Sequence, residues 1–460
     1  MSSQEHDVIV LGAGPAGEVA AGRLADAGLQ VALVEKHLVG GECSFYGCMP
    51  SKGLLRPGQA LAEARRIPGA AEAVSGSVDA AAVLARRDEI VHGLDDGEQL
   101  PWVQDKGIAL VRGTGRLDGE RTVVVDDGTR LIARRAVLVA VGSRAAMPPI
   151  EGLADAVPWT NREITNAHEV PASLLVIGGG PIGTEMAQAW RSLGSEVTIL
   201  EGSERLLVKE EPFASEQVQD AMAELGVSVR TGVKVARVER DGTSGPVTVE
   251  LGTGERLTAA ELVVAAGRHV PLEELGLETI GVAPDDHGHL AVDDTMRVPG
   301  HDWLFAVGDA NGRALLTHMG KYQARLAADE ILGKPTELLI DRGRSPRVTF
   351  TEPQVAAVGY TLAGALDAGI RARAVEVGTS ANAGGSFYGR GAVGTARLVI
   401  DEDRGLVVGA TITGAEIADF LQAATIAVVG EVPLTRLWHA VPVFPTRSEL
   451  WLQLLEKAGF

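Results

Sequence analysis

The sequence predicts an α/β protein: two Rossmann-type dinucleotide-binding units in one chain, followed by a C-terminal α+β domain. Three observations carry this reading. A glycine turn, Gly12-Ala13-Gly14-Pro15-Ala16-Gly17, follows the apolar run DVIVL and precedes a helical pattern. A second turn, Gly178-Gly179-Gly180-Pro181-Ile182-Gly183, repeats it, and in both copies 23 residues lead from the first glycine to an acid, Glu35 or Glu201. Beyond residue 345 no further fingerprint occurs, and strand patterns give way to helical ones near the end.

Taken in order, 7–11 reads as a buried parallel strand, 16–27 as a helix, and 31–34 as a second strand ending in Glu35. Gly12 permits the turn, Gly14 lets the backbone approach a pyrophosphate, and Gly17 lets helix and strand pack closely. The helix N-terminus offers its unpaired N–H groups to the phosphates, and Glu35 can accept hydrogen bonds from a ribose. An Ala- and Arg-rich helical region is expected over 54–96, then strands at 108–112, 122–125 and 135–141. The last runs into Gly142-Ser143-Arg144, and Pro148 and Pro149 then mark a boundary. In the second unit 174–177 is the strand, Pro181 suits the first helical position, the helix runs to about 193, and 196–200 leads into Glu201. Further strands are expected at 227–230, 247–250, 262–266 and 303–307, and in the last domain at 347–350, 395–400 and 406–413. Two dinucleotide sites on one chain imply two cofactors, and electron transfer between them.

Length and charge bound the function. A chain of 460 residues has room for two to four domains. A formal net charge of -19 argues against nucleic acid or anionic membrane as a partner. No apolar run approaches the roughly 18 residues of a membrane helix, and the polar start MSSQEHD does not read as a signal peptide. A cytoplasmic protein is expected.

The chain has 2 cysteines, and both lie in GGECSFYGCMPSK, residues 40–52, as Cys43 and Cys48. In a reducing cytosol such a pair is catalytic or metal-binding more often than a structural staple. Zinc is disfavoured, because two cysteines are half a ligand set and no His lies close. On an N-terminal helical turn, residues five apart can approach disulfide distance. The helix N-terminus and Lys52 would lower a thiol pKa and supply the thiolate that exchange requires.

With these pieces in place, the chain resembles the flavin-dependent pyridine nucleotide–disulfide oxidoreductases, the family of dihydrolipoamide dehydrogenase, glutathione reductase and mercuric reductase. The dithiol segment matches that family's GGxCxxxGCxPSK. VLVAVGSR at 137–144, VVAAGR at 263–268, LFAVGDA at 304–310 and TEPQVAAVGYT at 351–361 support it. The resemblance implies an FAD domain from 1–150 and 271–340, an NAD(P) domain at 151–270, and a dimerisation domain at 345–460. FAD would sit on Gly12, Gly14, Gly17 and Glu35, and NAD(P)H on Gly178, Gly180, Gly183 and Glu201. Asp309 would contact the flavin's ribityl or pyrophosphate region, and Gly115, Ser143 and Gly267 count among the cofactor contacts. Cys48 would lie nearest the flavin as its charge-transfer thiolate, while Cys43 attacks the substrate. Lys52 would lie against the flavin, paired with Glu185. NADH is favoured over NADPH, because Glu201 would repel a 2′-phosphate. Positions where NADPH users carry arginines hold Gly202 and Val208, and Arg205 is expected at the surface.

One part of the pattern is broken. The family's disulfide reductases carry a C-terminal HPTxxE whose His is the base acting on the partner subunit's cysteines. Here the segment is Phe444-Pro445-Thr446-Arg447-Ser448-Glu449, which keeps the orienting Glu449 but not the base. A positioned base is worth roughly 10²–10⁴-fold. His439 is expected at the surface or in the core rather than as a substitute. The sequence closes on LLEKAGF, without the vicinal cysteines of mercuric reductases. The resulting expectation is a homodimeric, dihydrolipoyl dehydrogenase-like flavoenzyme. It would pass hydride from NADH to FAD, then to the Cys43–Cys48 disulfide, then to a disulfide or another electrophile. The alternatives are a quinone, dye or metal-ion reductase in which the dithiol is secondary, and a non-catalytic redox sensor or complex subunit.

Overall fold

The computed structural model describes residues 3–242, 244–392 and 394–460. The chain forms two compact units, one from Met1–Pro50, Asp88–Ala145 and Arg268–Arg342, the other from Ser51–Arg87, Ala146–Gly267 and Gly343–Phe460.

The first unit is built on a seven-stranded sheet. Its order is Ala109–Arg112, Val31–Glu35, Ser3–Leu11, Arg130–Val139, Thr122–Val125, Gly115–Leu117, with Leu304–Ala306 pairing on Arg130–Val139. Ser3–Leu11 runs parallel to both neighbours, and Val10 faces Leu33 on one side and Leu138 on the other. Every residue of Val31–Glu35 is buried, which is why these strands read as continuous apolar runs rather than alternations. The period of two appears in which face each residue serves. Val8, Val10, Leu33, Leu138 and Phe305 share one core, and Ile9, Leu11, Ala32, Val137 and Leu304 share the other. In the first core, Ala20, Ala21 and Leu24 of the helix Pro15–Asp26 join Ala324, Ala327 and Ala328 of the helix Thr317–Ile331. Small side chains let these two helices approach closely.

The second unit holds a four-stranded parallel sheet, Ser228–Arg230, Glu196–Leu200, Ser173–Ile177, Glu261–Val264. A three-stranded antiparallel sheet, Val235–Arg240, Val247–Leu251, Arg256–Ala259, accompanies it. The C-terminal portion is a five-stranded antiparallel sheet in the order Arg347–Thr349, Gln354–Gly359, Leu406–Gly414, Thr395–Asp401, Ala372–Gly378. Residues Gly183 to Trp190 of the helix Pro181–Ser192 are all buried. Trp190 is fully enclosed and spends its indole N–H on the Ile164 carbonyl at 3.1 Å.

Two expectations about elements need correction. The helical region expected over 54–96 begins earlier, at Cys48, and is interrupted: Cys48–Arg66 and Ala80–Ile90 are separate helices. Gly69 and Gly76, at φ +94° and +93°, adopt a conformation that ends helices between them. The strands Val235–Arg240, Arg256–Ala259 and Ala372–Gly378 were not anticipated, because charged residues interrupt their apolar alternation. Among the described residues no helix is long and apolar enough to cross a membrane.

Candidate functional site

The two glycine turns are alike to the level of single atoms. A side chain at Gly17 would place its Cβ 1.9 Å from the Gly12 carbonyl oxygen, and one at Gly183 would lie 1.9 Å from that of Gly178. Only glycine permits that approach. At Gly14 and Gly180 a Cβ would meet nothing within 4 Å, so each turn opens a backbone-lined face at a helix N-terminus. Glu35 accepts the N–H groups of Ala13 and His37, both at 2.7 Å. Glu201 accepts those of Gly179 and Ser203, at 2.5 and 2.6 Å. Each carboxylate thus fixes its own turn and keeps lone pairs for a ribose hydroxyl. Both cradles fit a dinucleotide pyrophosphate, held by backbone N–H groups and the helix dipole.

In the first unit the dithiol segment is fastened to the first cradle. The Gly40 N–H donates to the Ala13 carbonyl at 2.8 Å. Gly41 sits at φ +59°, and a Cβ there would come within 2.8 Å of the Gly14 Cα. The Gly40-Gly41 pair therefore brings this backbone against the fingerprint. Contrary to the expectation from their spacing, the two cysteines do not share one helical turn. Cys43 lies in the short helix Gly41–Phe45, and Cys48 opens the helix Cys48–Arg66. Tyr46, at φ -135°, and Gly47 break the chain direction between them.

Both cysteines stand as thiols, and the hydroxyl of Thr317 lies 3.3 Å from each sulfur. The hydrogen bond that the Cys43 thiol donates to Cys48, burial, and the charge of Cys48 push the Cys43 thiol up, against the opposing pull of Thr317 and Lys321. Nothing in the sequence signals Thr317, which is 274 positions from Cys43.

A chain of polar groups extends along the first unit. Ser143 Oγ donates to Asp309, the Arg268 Nε donates to Ser143 Oγ at 2.9 Å, and Arg268 also reaches Glu42 at 3.7 Å. Arg268 was legible only as the last letter of VVAAGR. Of the remaining glycines, Gly115 has a packing reason of its own: a Cβ there would meet Leu11 Cδ2 at 2.9 Å and Val34 Cγ1 at 3.0 Å. In the second unit the Gly267 carbonyl accepts the Ala146 N–H at 3.0 Å.

Glu18, on the first turn of the helix Pro15–Asp26, is pushed up to about 7, chiefly by burial, with Glu35 adding and Lys321 opposing. An acid held more weakly ionised in the fold than in the open chain contributes stability below its ordinary value near 4.5, and that stability is lost as pH rises toward 7. Glu18→Gln is therefore expected to stabilise the protein at pH 8 by about 1–3 kcal/mol and to change little at pH 4.5. Chemical denaturation at the two pH values checks this; equal effects at both would refute it.

In the second unit Lys52 Nζ donates to Glu185 Oε2 at 2.7 Å and lies 4.6 Å from the centre of the Phe350 ring. The other Glu185 oxygen accepts the Phe350 N–H at 2.9 Å. The Glu185 side chain is 6% exposed and Lys52 37%. Lys52→Met would strand a buried carboxylate on one remaining donor and should cost about 1–3 kcal/mol in chemical denaturation. Glu185→Gln, which leaves no buried charge, should cost less. The opposite ranking would show that the pair is not what holds these residues.

Arg205 spends its guanidinium on its own loop, on the carbonyls of Glu210 and Val208 at 3.1 and 2.9 Å and on Ser215 Oγ at 2.5 Å. His439 is exposed, and Phe444 is 71% exposed. Among the described residues Glu449 Oε2 is buried with no hydrogen-bond partner.

Known proteins align with the chain along nearly all of it. Residues 6–325 match the family model described as pyridine nucleotide-disulphide oxidoreductase, and residues 345–454 match that family's dimerisation domain. The chain is 33% identical to a dihydrolipoyl dehydrogenase of Mycobacterium bovis, over 96% of each chain. It is 32% identical to a mercuric reductase of Bacillus cereus, over 97% of this chain and 70% of that one. Its fold matches that of the HOCl-induced flavoprotein disulfide reductase RclA from Escherichia coli with a TM-score of 0.85, at 23% identity and covering 98% and 99% of the two chains. Two cradles for two dinucleotides, a dithiol fastened to the first, and these matches lead to one conclusion: the chain belongs to the pyridine nucleotide-disulphide oxidoreductases, flavoenzymes that use FAD and a pyridine nucleotide.

Proposed function

We propose that the protein is a homodimeric NADH-dependent reductase in which Cys43 and Cys48 carry electrons to a disulfide or another electrophile. The observation that carries this is the pair itself: two sulfurs within reach of one hydroxyl, on a segment fastened to the first cradle through Gly40 and Gly41. FAD in that cradle would supply the two-electron relay between reduced nicotinamide and disulfide. The residues do the rest. Glu35 and Glu201 stiffen the two turns and receive ribose hydroxyls, and Ser143, Asp309 and Arg268 form a polar chain along the flavin domain. Lys52 is held by Glu185. Cys48 would carry the charge of the reduced pair, as the family resemblance implies, while the hydrogen bond to Cys48 and burial push the Cys43 thiol up. Preference for NADH is supported by the Glu201 carboxylate at the end of its strand, and by an Arg205 already engaged within its loop.

Thiol counting tests the proposal. Anaerobic reduction of the oxidised holoenzyme by one equivalent of NADH should release two alkylatable thiols per subunit, Cys43 and Cys48. If NADH is consumed and no new thiols appear, the dithiol is outside the electron path.

One observation favours a second reading, direct reduction of quinones or dyes. Where the family's base is expected, the chain presents Val441, Val443 and Phe444, exposed by 82%, 71% and 71%. That apolar stretch suits an acceptor that needs no proton taken from Cys43.

A further inference from the structure

Resting on the dithiol reading above, we propose that Thr317 is a catalytic residue: its hydroxyl carries a proton from Cys43 to Cys48 within one subunit, doing the work for which Phe444 leaves no base. Thr317 is the first residue of the helix Thr317–Ile331, which fixes its backbone. Its Oγ1 donates to Cys43 Sγ at 3.3 Å and lies 3.3 Å from Cys48 Sγ, where either atom can be the donor. A hydroxyl has one hydrogen and two lone pairs. As found it donates to Cys43; turning the O–H about the Cβ–Oγ1 bond, with no heavy atom moved, points its hydrogen at Cys48 and a lone pair at the Cys43 S–H.

Two electrons and one proton convert the disulfide to one thiol and one thiolate. With the proton on Cys43 and the charge on Cys48, the sulfur meant to attack is the unreactive form. Transfer of the Cys43 proton to Thr317 Oγ1, as the hydroxyl passes its own proton to the Cys48 thiolate, exchanges the roles and leaves Thr317 neutral. The Cys43 thiolate then attacks a disulfide RSSR and expels RS⁻. Cys48 attacks the mixed disulfide and re-forms the Cys43–Cys48 bond, and its proton leaves on the second RS⁻. One proton and one negative charge enter this sequence, and RSH and RS⁻ carry them out.

The groups around the sulfurs are Lys321, one turn along the helix of Thr317, and Glu42 beside Cys43, itself paired with Arg268. His318 follows Thr317, Tyr46 follows the helix of Cys43, and Lys52 is one turn beyond Cys48 on its helix. All of them stay in place in the variants that follow.

The test is Thr317→Val, close in shape but without the hydroxyl, against Thr317→Ser, which restores it. NADH-reduced holoenzyme is alkylated with iodoacetamide from pH 6 to 10, and modification of each cysteine is followed by mass spectrometry. Loss of a hydrogen bond to a thiolate should move the Cys43 midpoint up by about one pH unit, a roughly tenfold slower alkylation below it. Thr317→Ser should react as wild type does. If Thr317→Val is insoluble, Thr317→Ala gives the same comparison. Wild-type Cys43 reactivity in the hydroxyl-free variant overturns the relay alone. Absence of alkylatable thiols in reduced wild type overturns the dithiol reading, and the relay with it.

Discussion

Cys43→Ser is expected to lower NADH-dependent disulfide reduction by on the order of 10³-fold or more, because an alkoxide-poor hydroxyl replaces the attacking sulfur. Cys48→Ser should do the same by a different route, since no disulfide can then form between the two positions. The comparison that decides between readings is with quinone and dye reduction, measured on the same preparations. If electrons pass through the dithiol to every acceptor, all activities fall together in both variants. If quinones draw electrons ahead of the pair, quinone reduction stays near wild type while disulfide reduction disappears. Retention of disulfide reduction in Cys43→Ser would remove the dithiol from the mechanism. Neither substitution should unfold the protein, because each exchanges one small, partly buried side chain for another.

The second large effect runs in the opposite direction. Phe444→His should raise dihydrolipoamide oxidation by roughly 10²–10⁴-fold, the worth of a positioned general base. Two features of the site make this more than a motif repair. Glu449 remains, and its buried Oε2 lacks a partner among the described residues, so the group that would orient an imidazole is already present and unsatisfied. Phe444 itself is largely exposed within its own chain, so the exchange removes little packing inside the subunit. Steady-state rates with dihydrolipoamide, for wild type, Phe444→His and the double variant Phe444→His/Glu449→Gln, check the idea. The double variant should lose much of the gain. No gain in the single variant would mean that the missing base does not limit this chemistry, and would leave Thr317 as the remaining proton route.

Much of the fold was legible along the chain because Rossmann units announce themselves locally. Each needs a glycine where the helix passes the strand at van der Waals limits, and each ends its second strand in an acid. The repeated clash distance at Gly17 and Gly183, and the repeated pair of N–H groups on Glu35 and Glu201, are the atomic form of that spacing. The strands Val235–Arg240 and Arg256–Ala259 were hidden for the complementary reason. Antiparallel strands with a solvated face carry Arg and Glu on it, so their pattern is set by neighbours far away in sequence.

The same division holds at the site. The sequence by itself singled out the two sulfurs and the two glycine turns, and showed that the residue at 444 is no base. Those properties follow from residue type and short spacing. Only the tertiary structure decided that Cys43 and Cys48 sit on separate helices, that Arg268 links Glu42 to Ser143, and that one hydroxyl reaches both sulfurs. The physical reason is the range of the interaction. A hydrogen bond of 3.3 Å between residues 274 positions apart exists only once the helix Thr317–Ile331 has packed against Pro15–Asp26, and no local pattern encodes it.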